Sequence, residues 1–155
     1  SIQGSFLSSW ISLFSLQLQH NKLSKAIPFS LEYILGLNDL RLNNNKLTGT
    51  IPEFLGTLSS LDSLQIQSNK FTGTVPSNLV GTYLTLLDFS NNKLKGTIPS
   101  GLCGNSLTYL DITGATGLTC YASCLSTVPT MFFDDTLISC EAGTYLCIIS
   151  IRESF

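Results

Sequence analysis

Charge is scarce in this chain of 155 residues: 8 Lys and Arg stand against 10 Asp and Glu, 12% of the sequence, where about 25% is usual. The formal net charge of −2 and the pI near 5.1 give no electrostatic ground for nucleic acid or an anionic membrane as partner. Histidine occurs once, as His20, without a serine and an aspartate in a triad-like setting. Asp134 and Asp135 are neighbours; on a strand they would face opposite sides, which does not suit paired-carboxylate catalysis. No glycine-rich phosphate loop follows a strand. An enzyme is therefore not expected, and neither is a cofactor. No apolar run reaches the roughly 20 residues a membrane helix needs; the longest candidate, Leu146 to Ile151, is strand-sized, so no membrane insertion by this segment is expected. There is no charged-then-apolar leader and no Asn-x-Ser/Thr sequon.

Cysteine is absent before position 103 and then occurs five times, as Cys103, Cys120, Cys124, Cys140 and Cys147. Such clustering in a low-charge chain points to disulfides made in an oxidising compartment, and so to a secreted or cell-surface protein. Zinc is the rival. Cys120 and Cys124 lie far from His20 and lack a second tight pair, and six residues separate Cys140 from Cys147, which is loose for a zinc knuckle. No metal is expected. The odd count leaves one cysteine over; Cys103 is the outsider by position, although a bond from Cys103 to the 120/124 pair is equally compatible.

What is plentiful is a repeat. Leu13-x-x-Leu16-x-Leu18-x-x-Asn21-x-Leu23 recurs from Leu37 to Leu47, from Leu61 to Phe71 and from Leu84 to Leu94, with Asn45, Asn69 and Asn92 at spacings of 24, 24 and 23 residues. Each copy runs on to an apolar-proline step: Ile27-Pro28, Ile51-Pro52, Val75-Pro76 and Ile98-Pro99. Gly49, Gly73 and Gly96 precede that step, with Lys25 in their place in the first copy. A fifth copy starts at Leu107-x-x-Leu110-x-Ile112 and then degenerates, with Ala115 at the asparagine position and Gly117 where the next leucine should be. Leucines one coil apart are predicted to stack into a continuous apolar spine. The alternation around them predicts a short strand buried on one face. Asn21, Asn45, Asn69 and Asn92 are predicted to turn the chain and to form an internal ladder of side-chain amides.

The pattern L-x-x-L-x-L-x-x-N-x-L-x-G-x-I-P resembles the plant-type extracellular leucine-rich repeat, as in polygalacturonase-inhibiting proteins and receptor-like kinase ectodomains, over roughly residues 13 to 115. The resemblance implies an α/β-type solenoid, mostly β: a right-handed leucine-rich-repeat coil of about five repeats of 23–24 residues, with a parallel sheet on its concave face. It also implies a second short strand near the Gly-x-Ile-Pro step, 3-10 or irregular turns on the convex side, and extracellular recognition of a protein, a peptide or a polysaccharide. Those plant proteins usually carry a cysteine-bearing N-terminal cap, whereas the first cysteine of this sequence is Cys103.

Residues 1–12 read as a partial repeat or cap, with Gly4-Ser5-Phe6-Leu7 in place of Gly-x-Ile-Pro. Phe6 and Trp10 would cover the first coil, or it would stack on further coils or on a neighbouring subunit. Residues 13–117 are the repeats. Residues 118–155 read as a cysteine-bearing cap, in which Met131-Phe132-Phe133 would plug the core and Tyr145 to Ile151 would form a closing strand.

Outward positions of the strands fall into columns. Ser15, Asp39, Ser63, Leu86 and Tyr109 form the first, and Gln17, Arg41, Gln65, Asp88 and Asp111 the second. Gln19, Asn43, Gln67, Ser90 and Thr113 form the third, and His20, Asn44, Ser68, Asn91 and Gly114 the last. Of these, Gln17, Gln19, His20, Arg41, Asn43, Gln65, Gln67, Asp88, Tyr109 and Asp111 are the candidate ligand-binding residues, since stripes of amides and hydroxyls suit hydrogen bonding to a sugar chain or an extended peptide. Arg41 beside Asp39 and near Asp88 reads as a surface ion pair rather than an anchor for an acidic ligand. The expected function is a binding module. A structural subunit that self-associates end to end is the alternative, motivated by the low charge and a mean hydropathy of +0.29. The spacing of Thr48, Thr50, Thr72, Thr74 and Thr97 makes ice binding a third.

Overall fold

The computed structural model describes residues 12–81, 83–104, 106–115, 117–120 and 128–133, and the side chains of 80, 81, 103, 104, 119 and 120 fall outside that description. In chain order the strands are β1 (Ser15–Gln17), β2 (Ser24–Lys25), β3 (Asp39–Arg41), β4 (Lys46–Leu47), β5 (Ser63–Gln65), β6 (Thr72–Gly73), β7 (Leu86–Asp88), β8 (Lys93–Thr97), β9 (Tyr109–Asp111), β10 (Gly117–Cys120) and β11 (Thr130–Phe132). Strands β1, β3, β5, β7, β9 and β11 form one parallel sheet in that order. Smaller sheets, β2-β4 and β6-β8-β10, run beside it.

Each turn of the solenoid follows from its residues. In the large-sheet strands the middle residue points inward, and Leu40, Leu64, Leu87 and Leu110 are fully buried on one another's line. The flanking repeat positions, Leu37, Leu61, Leu84 and Ile66, Phe89, Ile112, are buried with them. Full burial of one such side chain contributes roughly 1.5–3 kcal/mol, so the spine is the main source of stability. After the second strand the proline fixes an extended backbone (φ −71° at both Pro28 and Pro52). Its carbonyl then accepts from the amide three residues on: Leu31 N–H to Pro28 O, Leu55 N–H to Pro52 O, Leu102 N–H to Pro99 O. That spacing starts the 3-10 turns Phe29–Tyr33, Glu53–Thr57, Ser77–Gly81 and Ser100–Gly104. They send Leu31, Leu55, Leu79 and Leu102 into the core.

The asparagines tie successive coils together. Asn69 Nδ2 donates to Ile66 O and Gln67 O in its own coil and to Leu42 O in the coil before, while its Oδ1 accepts from Leu47 N–H at 2.9 Å. Asn45 and Asn92 repeat this pattern with Leu18 O and Leu23 N–H, and with Ile66 O and Phe71 N–H. In the first coil the bonds from Asn21 to Leu18 O and Gln19 O are solvent-exposed.

Glycine before the Ile-Pro step has two causes. Gly49, Gly73 and Gly96 sit at φ +85°, +81° and +85°, where a Cβ is strained. A Cβ on Gly73 would also fall 2.9 Å from Thr50 Cγ2, and one on Gly96 3.2 Å from Thr74 Cγ2. The evenly spaced threonines thus pack their methyls over the glycines of the next coil.

The C-terminal part departs from the expectations in two ways. The sheet has a sixth strand, β11, contributed from within the segment 118–155. And of Met131-Phe132-Phe133, only Met131 and Phe133 pack against the core, whereas Phe132 is 42% exposed. The alternation of a strand is the reason: with Met131 inward, Phe132 must face outward. The side chains of Cys103 and Cys120, residues Cys124, Cys140 and Cys147, the segment 1–11, Asp134-Asp135 and the expected strand from Tyr145 to Ile151 lie outside the described residues. Among the described residues no helix is long and apolar enough to cross a membrane, and no group of three potential metal ligands gathers.

Candidate functional site

The outward face of the large sheet is a continuous surface of two columns set by strand register. The first runs Ser15, Asp39, Ser63, Leu86, Tyr109, Thr130, and the second Gln17, Arg41, Gln65, Asp88, Asp111, Phe132. Neighbours within a column are ~4.8 Å apart.

On the first three strands the polar groups satisfy one another. Arg41 Nε donates to both carboxylate oxygens of Asp39 at 3.0 Å, and Ser15 Oγ donates to Asp39 Oδ2 at 3.0 Å. Gln17 Nε2 reaches the same oxygen at 3.3 Å, and Gln65 Nε2 donates to Ser63 Oγ at 3.3 Å. Burial pushes the Asp39 carboxyl up. Hydrogen bonds from Arg41, Ser15 and Ser63, with the Arg41 charge, outweigh it and hold Asp39 below the ordinary carboxylate value.

On the last three strands the arrangement changes. Asp88 Oδ1 accepts from Ser90 N–H at 3.1 Å and from Ser90 Oγ at 2.8 Å. Asp111 Oδ1 accepts from Thr113 N–H at 2.9 Å and from Thr113 Oγ1 at 2.8 Å. Each aspartate therefore pins the start of its own loop; Asp88 is buried and Asp111 half-buried. Burial raises the pKa of Asp88 against the Ser90 bonds, and the Asp111 charge adds to the rise. Tyr109 is raised by burial and by the charges of Asp88 and Asp111. Its ring meets that of Phe132 with centroids 5.7 Å apart and planes at 52°.

The other candidates are placed less openly than the alternation suggests. Asn43 is buried, as is Asp88. The oxygens Gln19 Oε1, Asn43 Oδ1 and Gln67 Oε1 are turned away from solvent, with no hydrogen-bond partner among the described residues. The third column is thus a seam between sheet and loop more than an open stripe. His20 is exposed, but its backbone is left-handed (φ 57°), as at Asn44, Ser68 and Asn91 (φ 55°, 55° and 52°) and Gly114 (φ 67°). That column makes the turn that ends each strand. Arg41 is separated from Asp88 by Gln65, so these two are not register neighbours.

Sequence reasoning missed Phe132 as a face residue, because β11 lies beyond the recognisable repeats. It also missed Ser90 and Thr113 as partners of the aspartates, although the spacing Asp-x-Ser and Asp-x-Thr was there to be read. Lys22, Lys46, Lys70 and Lys93, one after each ladder asparagine, are exposed.

Comparison with known proteins gives the class. The Leucine Rich Repeat family profile matches residues 36–58 and 83–105. The leucine-rich-repeat ectodomain of the Arabidopsis thaliana receptor kinase SOBIR1 is 31% identical at a TM-score of 0.63, over 68% of this chain and 58% of that one. A chain in the Arabidopsis thaliana BIR3–SERK2 complex is 30% identical at a TM-score of 0.67, over 80% of this chain and 69% of that one. The plant peptide hormone receptor RGFR1 in complex with RGF2 gives 30% identity and a TM-score of 0.61, over 76% of this chain and 24% of that one. No curated protein sequence matches the chain. The chain belongs to the plant-type extracellular leucine-rich-repeat family, and it spans 58% of the SOBIR1 ectodomain it matches.

Proposed function

We propose that this chain is an extracellular, non-catalytic recognition module that binds a peptide or protein segment across the outward face of its six-stranded sheet. The observation that carries this reading is the register itself: six parallel strands align Gln17, Arg41, Gln65, Asp111 and Tyr109 on one uninterrupted surface with no element of the described chain lying over it. The RGFR1–RGF2 complex, a peptide hormone receptor of the same fold, supports peptide as the ligand class. Selection of a random peptide library on the immobilised chain tests the reading. Replacement of Gln17, Gln65 and Tyr109 by alanine is expected to abolish retention of the selected peptides. Retention unchanged by all three would place the site elsewhere.

One observation favours a second reading, self-association through the first coil. An apolar groove of about 460 Å³ is lined there by Leu16, Leu18, Leu23, Ile27, Leu31 and Leu47, and Leu18 and Leu23 are each 38% exposed. Concentration-dependent dimerisation in sedimentation equilibrium, lost in Leu18→Lys, is the expected result. A monomer at every concentration rules this reading out.

A further inference from the structure

Among the described residues, the last three strands of the large sheet carry two carboxylates that no cation meets. Asp88 and Asp111 are register partners on adjacent strands. Arg41, the cation of this face, is held by Asp39. The described lysines stand elsewhere, at the smaller sheets (Lys25, Lys46, Lys93, Lys95) or on loops (Lys22, Lys70). Around the two carboxylates the face turns apolar. Leu86 and Tyr109 are neighbours in the first column, and Phe132 follows Asp111 in the second. Phe132 is 42% exposed and in ring contact with Tyr109.

We propose that this corner of the sheet binds an arginine or lysine side chain of an extended peptide, with a neighbouring apolar residue of that peptide seated on Leu86, Tyr109 and Phe132. The inference rests on the peptide-binding reading above and adds the chemistry of the side chain recognised. Charge complementarity decides the sign of the ligand. An acidic ligand would be repelled, and a neutral glycan would bury Asp88 and Asp111 further without a counter-charge. A guanidinium or ammonium forms charge-assisted hydrogen bonds to the carboxylates and gains attraction from the aromatic faces. Burial is the main cause that raises Asp88 and Tyr109, and the neighbouring carboxylate charges that add to it would be met by the same cation.

The test is selection of a random peptide library on the immobilised 155-residue chain, followed by affinity measurement on the selected sequences. Enrichment of Arg or Lys next to a leucine or an aromatic residue is expected. Replacing that arginine with citrulline, its neutral isostere, is expected to weaken binding about tenfold or more, as are Asp88→Asn and Asp111→Asn. Asparagine keeps an oxygen to accept from Ser90 or Thr113, so neither variant is expected to melt below the wild type, and Phe132→Ala provides a third that leaves the loop bonds alone. Selected peptides without a cation, or bound equally by the asparagine variants, overturn the inference while the peptide-binding reading stands. The chain's second arginine is Arg152, and peptides selected only by Arg152→Gln would mean that the chain's own arginine fills the corner in place of a partner's, which overturns it as well. Failure to select any peptide overturns both.

Discussion

Strands β1, β3 and β5 carry the same backbone as β7, β9 and β11, in the same parallel register, yet their outward faces differ in kind. In the first half the one cation is neutralised: Arg41 lies on Asp39, and Ser15 and Gln17 add their hydrogens to the same carboxylate. In the second half Asp88 and Asp111 are held by Ser90 and Thr113 of their own loops, Tyr109 adds a side-chain hydrogen bond to Asp111, and no cation meets them among the described residues. An identical scaffold thus presents one surface whose charges pair internally and one whose carboxylates meet no cation among the described residues. In such a solenoid the outward columns, and not the repetitive backbone, distinguish one coil from the next.

The largest expected effect checks that the two halves share one scaffold. Asn69→Ala removes three donated bonds and strands the Leu47 amide inside the protein. A loss of about 3 kcal/mol in urea unfolding is expected, against about 1 kcal/mol for Asn21→Ala, whose bonds are exposed. A similar small loss at both positions would show that the ladder does not bind the coils.

Next in size is the contrast between the aspartates. Asp39→Asn at pH 7 is expected to cost about 1–2 kcal/mol, because Arg41 loses its counter-charge. Asp88→Asn is expected to be neutral or stabilising. The pH profiles differ in sign. The folded pKa of Asp39 is lowered, so its contribution is complete above the unfolded carboxylate value near ~3.9 and disappears as pH falls through the lower folded value. That of Asp88 is raised, so its ionisation opposes folding; the wild-type chain gains relative to Asp88→Asn as pH falls through the raised value toward ~3.9. Urea titrations of wild type and both variants between about pH 7 and pH 2 read the two directions; parallel profiles would erase the contrast.

A smaller effect concerns the first coil, where Lys25 holds a left-handed conformation (φ 74°) that Gly49, Gly73 and Gly96 hold elsewhere. Lys25→Gly is expected to raise stability by about 1 kcal/mol in thermal melting. The smallest is Phe132→Ala. Its exposed ring should contribute within about 0.5 kcal/mol to stability, while selected peptides lose affinity. A large stability loss instead would make Phe132 part of the core.

Much of the scaffold was legible in the sequence, because the signals were local. The leucine spacing predicted which residues point inward, the asparagines marked the turns, and the Gly-x-Ile-Pro step marked the second strand. The alternation also sorted Gln17, Arg41, Gln65, Asp111 and Tyr109 onto one face. It misjudged Asn43 and Asp88 as open, since strand alternation says nothing of how a side chain bends toward the following loop. It assigned Phe132 to the core because β11 lacks the repeat that would have declared it a strand.

What the sequence determined by itself is the coil: a hydrophobic period of 23–24 residues leaves a leucine no lower free-energy place than against its counterpart one turn away. Only the tertiary structure decided which outward residues become neighbours. Partners such as Ser15 and Asp39, Asp88 and Asp111, or Asp111 and Phe132 lie 24, 23 and 21 residues apart in the chain, and their pairing depends on register. A strand's periodicity is written in its own residues, whereas its register is settled by the coils packed on either side.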